Sequence, residues 1–264
     1  YRGRSKGRSI GYGSLNAAGL ACFAALVLAK KSGINDPRVD LAIKRASGYF
    51  RSYLGKGRIG YGFHGPSPGQ GSNGKMGVAG AAYAILGDWE AMRYFSKCSM
   101  TYRLREWGHC GNAFNNVWGG LGSNLATTEG AASYYKTRRW YCTMVRSWDG
   151  SFHLQYGDGS QYGMGGYGDG VGSGGYMLNY LSSKRSLFIT GKDIPAKEML
   201  TKKDVEEGEF VFSFRKNHDL KTMKVSELMP HLTNWASGVR ATVARELAKR
   251  SPDEVIPGVR KYLR

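Results

Sequence analysis

The sequence predicts an all-α chain built as an α/α toroid, an inner ring of helices enclosed by an outer ring, with a smaller helical unit after it. Three observations carry that prediction. The 39 glycines among 264 residues fall in clusters that punctuate the chain instead of spreading through it as a linker would. Helices that are apolar on every side alternate with helices that have one apolar and one charged face. The pair recurs about four times, at a spacing of roughly 40 to 50 residues, which is the signature of a repeat architecture.

The first hairpin opens with GYGSLNAAGLACFAALVLAKKSG, an Ala/Leu-rich helix from about Ser14 to Lys31 that Gly33 ends. Asn35-Asp-Pro37 then starts a second helix, with Val39, Ile43, Ala46, Tyr49 and Phe50 on one face and Lys44, Arg45 and Arg51 on the other. A glycine and aromatic turn closes the unit at His64. The second hairpin repeats the order, with GSNGKMGVAGAAYAILG followed by an amphipathic helix that Asp88 caps. The third is GHCGNAFNNVWGGLGSNLA followed by a helix from Glu129 to Trp148 and the turn WDGSF. The fourth is GYGDGVGSGGYMLNYLSS from Gly166, after which the pattern stops. A helix of small residues must be covered all round, whereas its partner keeps one wet face, so the first kind belongs inside and the second outside.

Composition narrows the function. With 41% hydrophobic residues the chain can bury a sizeable core, and its longest apolar run, Leu15 to Ala29, is too short and too interrupted to span a bilayer. The net charge of +18 attracts polyanions, with a steep dependence on salt. Cys22, Cys98, Cys110 and Cys142 form no CxxC pair. A chain that starts at Tyr1 with a basic arm is expected to be a processed form or an excised piece, so its compartment is not encoded.

The alternation of helices with WDGSF-type turns resembles the terpenoid cyclase and protein prenyltransferase superfamily of α/α toroids, over about residues 10 to 192. The strings GYGSLNAAGLACFAALVLAKKSGI, NGKMGVAGAAYAILGD and GHCGNAFNNVWGGLG look closer to an uncharacterised bacterial family of that shape. The resemblance implies a fold and leaves activity open. Such toroids carry more hairpins than this chain, so the ring is expected to be incomplete or completed by another segment.

Composition shifts after Gly191. The expected boundaries are a toroid over residues 1–192, a linker over 193–222, in which Phe210 to Phe214 (FVFSF) alternates like a short strand or an extended connector, and a helical unit over 223–264. The segment VRATVARELAKR resembles a HEAT-like repeat, whose apolar faces need stacking neighbours. By association, that resemblance implies a surface for protein partners.

Inner helices of a toroid start at one end of the cavity, so their polar first residues are expected to converge there. Those starts supply Asn16, Asn73, Lys75, His109, Asn112, Asn115, Asn116 and Asp169, and the adjoining turns add His64, Asp149, His153, Tyr156 and Asp158. In the stretch REWGHCGNAFNN, His109 and Asn112 either satisfy backbone groups at a helix start or touch a ligand. Adjacent His109 and Cys110 point apart on a helix, and no HxxxH or CxxC accompanies them, so no metal is expected. Prenyltransferase zinc ligands cannot be placed residue by residue. No DxDD run exists for protonation-initiated cyclisation, and Asp149 in WDGSF reads as a turn residue. The run GMGGYGDGVGSGGY lacks the preceding strand that a dinucleotide site needs.

Other α/α toroids are polysaccharide lyases, and that likeness implies Asn112 or Asn115 to neutralise a uronate carboxylate, His109 as base and Tyr156 as acid. A paired-carboxylate glycosidase using Glu106, Glu129, Asp149 or Asp158 is the weaker option. The expected function is therefore binding of carbohydrate in a polar cavity, with cleavage of the polymer as its enzymatic form. His109, Asn112 and Tyr156 are the catalytic candidates, and Asn16, His64, Asn73, Lys75, Asn115, Asp149 and His153 the substrate contacts. The expected partner is an acidic polysaccharide or another polyanion, with no cofactor and only non-specific contact with nucleic acid. The competing expectation is a non-enzymatic scaffold for other proteins.

Overall fold

The computed structural model describes residues 4–5, 8–9, 15–62, 65–69, 71–102, 111–125, 127–152 and 169–262. Apart from a two-residue antiparallel pair, Arg4–Ser5 with Arg8–Ser9, its regular elements are helical. Among the described residues, seven helices form the first part: α1 Asn16–Lys31, α2 Pro37–Arg51, α3 Asn73–Leu86, α4 Trp89–Thr101, α5 Gly111–Asn124, α6 Thr128–Met144 and α7 Asp169–Leu181. Their ends follow local chemistry. Asp36, Asp88 and Thr127 accept the N–H groups of Arg38, Ala91 and Gly130 at the starts of α2, α4 and α6. Gly87, at φ 75°, ends α3 in the left-handed conformation.

The odd-numbered helices lie in a row, α1 on α3, α3 on α5 and α5 on α7, and α2, α4 and α6 flank them. The largest contacts are those of α3 with α5 and with α4. Residues Asn73 to Ala84 of α3 are all buried, so this helix is the centre of the core. Its glycines decide how close α5 comes. A Cβ on Gly77 would lie 1.9 Å from the Trp118 carbonyl oxygen, and one on Gly122 would lie 2.3 Å from the Gly77 Cα. Backbone meets backbone there, leaving no room for a side chain on either helix. On its other sides α3 packs aromatics, with Tyr83 stacked on Phe95 at 5.6 Å and edge-on to Phe23 at 5.5 Å.

After α7 the chain passes through short 3-10 turns to α8 Lys202–Asn217, then α9 Val225–Leu228, α10 Ser237–Leu247 and α11 Pro252–Tyr262. The Phe210 to Phe214 segment is thus helical, not a strand or an extended connector. A capping box explains why: Thr201 accepts the Asp204 N–H at 3.2 Å while the Asp204 carboxylate accepts the Thr201 N–H at 2.8 Å. Ion pairs fasten α8 to α4, Arg93 to Asp204 at 3.0 Å and Lys97 to Glu207 at 2.6 Å. Burial would raise the Asp204 carboxyl, but the Thr201 hydrogen bonds and Lys97 outweigh it and hold the group below its ordinary value. A second apolar cluster, including Val211, Phe214, Leu228, Val239 and Val243, joins α8 to α9 and α10.

Candidate functional site

Of the polar helix starts, the structure brings two together. The Asn115 side chain accepts the Gly74 N–H at 2.9 Å, and Asn73 Nδ2 donates to the Tyr134 hydroxyl at 3.5 Å. The Ser99 hydroxyl donates to the Asn73 carbonyl at 3.1 Å and lies 3.0 Å from that of Gly119. Asn73, Asn115 and Lys75 are buried, and together they form a polar seam inside the helix packing. Asn73 Oδ1 and Asn115 Nδ2 find no partner among the described residues.

Asn16 lies elsewhere. Its amide donates to the carbonyls of Gly60 and Gly62 at 3.1 and 2.7 Å and accepts the Tyr49 hydroxyl at 3.1 Å, pinning the loop after α2 against the start of α1. Asp149 sits in the turn after α6, where it accepts the N–H and the hydroxyl of Ser151 at 2.9 and 2.7 Å. Asn116 is buried, and its carbonyl accepts from Asn179 at 3.5 Å. Asn112 falls in the first turn of α5 and Asp169 begins α7, without described side chains. His64, Glu106, His109, His153, Tyr156 and Asp158 lie outside the described residues.

Beneath the end of α4 lies a buried cation. Arg138 of α6, 4% exposed, donates to the carbonyls of Met100 at 3.4 Å and of Tyr102, and stacks 4.0 Å over the Tyr134 ring. It thereby satisfies carbonyls that the end of α4 leaves without helical partners. Burial lowers its pKa, since the charged form is the one that loses water.

Beside Arg138 opens a cavity of about 400 Å³ between α4, α6 and α8. Thr101, Ser133, Thr137 and Ser213 line it with hydroxyls, and Lys136, Glu206 and Glu209 with charges. Phe210 and Phe212 supply aromatic faces. At Gly208 α8 comes close to α4, since a Cβ there would lie 2.4 Å from the Met100 methyl and 2.6 Å from that of Thr101. Arg138 donates to the Thr137 hydroxyl at 2.8 Å, and that hydroxyl donates to the Tyr134 carbonyl at 2.9 Å, so one wall group is fixed from below. One wall of this cavity comes from α8, within residues 193–222. The signal was in the sequence, in Thr201-Lys-Lys-Asp204, a capping-box spacing directly ahead of the segment.

No group of three or more His, Cys, Asp or Glu side chains among the described residues is arranged to hold a metal. No described helix is long and apolar enough to cross a membrane. No curated protein and no solved structure shows significant similarity to the chain. One family does match, over residues 2–191, which takes in α1 to α7 and ends before α8: the chain belongs to the family described as a domain of unknown function, DUF6288.

Proposed function

We propose that the chain is a carbohydrate-binding α/α-toroid domain that holds a short stretch of polysaccharide in the cavity between α4, α6 and α8. The lining of that cavity carries the reading. Sugars are recognised by hydroxyl and carboxylate groups that exchange hydrogen bonds with their own hydroxyls, and by aromatic faces that cover their C–H surfaces. Thr101, Ser133, Thr137, Glu206 and Glu209 supply the first kind, and Phe210 and Phe212 the second. The +18 net charge draws in polymers that carry carboxylate or sulfate groups, and Lys136 is the group of the lining that pairs with them, against the repulsion of Glu206 and Glu209. The row of α1, α3, α5 and α7 with α2, α4 and α6 outside supports the toroid reading of the architecture.

A panel of neutral and uronate oligosaccharides, titrated calorimetrically into the full chain, tests this. A uronate oligomer is expected to bind, and Phe212→Ala to weaken it about tenfold. Following unsaturated ends by absorbance on uronate polymers tests for cleavage of the lyase type. Silence across the whole binding panel would overturn the reading in favour of a protein scaffold. That second reading is supported by α11, where Ile256 is 45% exposed beyond the α8–α10 cluster, as an end of stack awaiting a neighbour would be.

A further inference from the structure

On the other side of α6, away from α8, a groove of about 580 Å³ runs between α6 and α7, a size typical of small-molecule sites. Its walls are apolar: Tyr135 and Cys142 from α6, Phe152 after the turn, and Tyr176, Tyr180 and Leu181 from α7. Phe152 and Tyr176 stack with centroids 4.4 Å apart. Two of the α7 side chains stand in water, Tyr180 at 85% and Met177 at 63% exposure. Large apolar groups that no described residue covers, beside a groove, mark a surface made for contact.

Among the described residues the rim is cationic. Arg139 follows Tyr135 by four residues and precedes Cys142 by three, so it shares their side of α6, and it is exposed. Arg146 is paired with Phe152 in an antiparallel bridge. Opposed residues of such a pair project to one face, which sets the exposed Arg146 next to the Phe152 wall. Lys184, also exposed, follows Tyr180 by four residues beyond the end of α7. Among the described residues of the turn after α6, the acid is Asp149, which Ser151 engages through two hydrogen bonds. A neutral apolar ligand would make no use of the arginines, and a polyanion would make no use of the apolar trough. A molecule with a hydrocarbon chain and one negative head uses both.

We propose that the α6–α7 groove binds a single-chain anionic amphiphile of the long-chain fatty acid type, the chain lying along Tyr176, Tyr180 and Leu181 and the carboxylate meeting Arg139 and Arg146. This site is separate from the carbohydrate cavity and stands or falls without it.

Dodecanoate titrated into the full chain below its micelle concentration, read by calorimetry, tests the proposal. Saturable binding is expected. Hexanoate and the uncharged methyl ester of dodecanoate should each bind at least about tenfold more weakly, since one lacks the chain and the other the charge. Tyr180→Glu, at a position exposed enough to leave folding intact, and the pair Arg139→Glu with Arg146→Glu should each cost about tenfold. Lys44→Glu with Arg45→Glu, exposed cations on α2, should change nothing. No saturable binding, or binding indifferent to Tyr180→Glu and to the arginine reversals, overturns the proposal. So does light scattering that shows the chain pairing with itself through Tyr180, because the groove would then be covered by a second copy.

Discussion

Helices α3 and α7 have the same sequence texture, glycine and small residues around a few large apolar ones, yet α3 is enclosed and α7 is half open. In α3 every residue from Asn73 to Ala84 is buried, whereas α7 leaves Met177, Tyr180 and Leu181 at 63, 85 and 45% exposure. The difference comes from position in the row, not from composition. α3 has α1 on one side, α5 on the other and α4 behind, while α7 follows α5 at the end of the row. A Gly/Ala-rich helix therefore marks where a close neighbour can sit, without ensuring that one does.

Glycine substitutions should separate the two helices most clearly. Gly77→Ala drives a methyl against the Trp118 carbonyl and should cost about 3 kcal/mol or more, read as a fall in the midpoint of urea unfolding. Next comes Arg138→Leu, which leaves the Met100 and Tyr102 carbonyls without a donor. It should cost roughly 2 to 3 kcal/mol in the same assay. Gly174→Ala in α7 meets nothing within 4 Å and should stabilise by about 0.5 to 1 kcal/mol, the helix propensity gain alone. An equal and opposite pair of outcomes would mean that α7, not α3, is the enclosed helix.

The smallest effect belongs to the C-terminal cluster, where His231 stacks on Phe210 at 5.5 Å. Burial, helped by His218, holds its pKa below the ordinary 6.5. The unfolded chain then takes up a proton more readily than the folded one, so stability is full above pH 6.5 and declines as pH falls below it. Melting temperatures between pH 8 and 5 should fall more steeply for the native chain than for His231→Gln.

The helical hairpins were legible because their ends are chemical: Asp36 before Pro37, Asp88 after Gly87, and Gly33 at φ 96° each act within a few residues of chain. α8 was not, because Phe210-Val-Phe-Ser-Phe214 alternates with period two while its helical partners, Met229 and Val239 among them, are distant in sequence. The site was less legible still. The polar starts of α3 and α5 do meet, where Asn115 Oδ1 accepts the Gly74 N–H and Asn73 Nδ2 donates to Tyr134 of α6, so one end of each amide holds helices together. Periodicity identifies a buried polar residue but cannot tell a hydrogen bond to a neighbouring helix from one kept for a ligand. The cavity that does offer several polar groups needs α8, whose Phe210 to Phe214 stretch alternates as a strand would.

Hydrogen exchange of the full chain with and without a uronate oligosaccharide tests the proposal that ligand binds beneath α8 and not at the starts of the inner helices. Added ligand should slow exchange in residues 133–137 and 206–213 and leave the first turns of α1 and α3 unchanged. Slowing confined to residues 73–76 and 109–116, with 206–213 untouched, would contradict it.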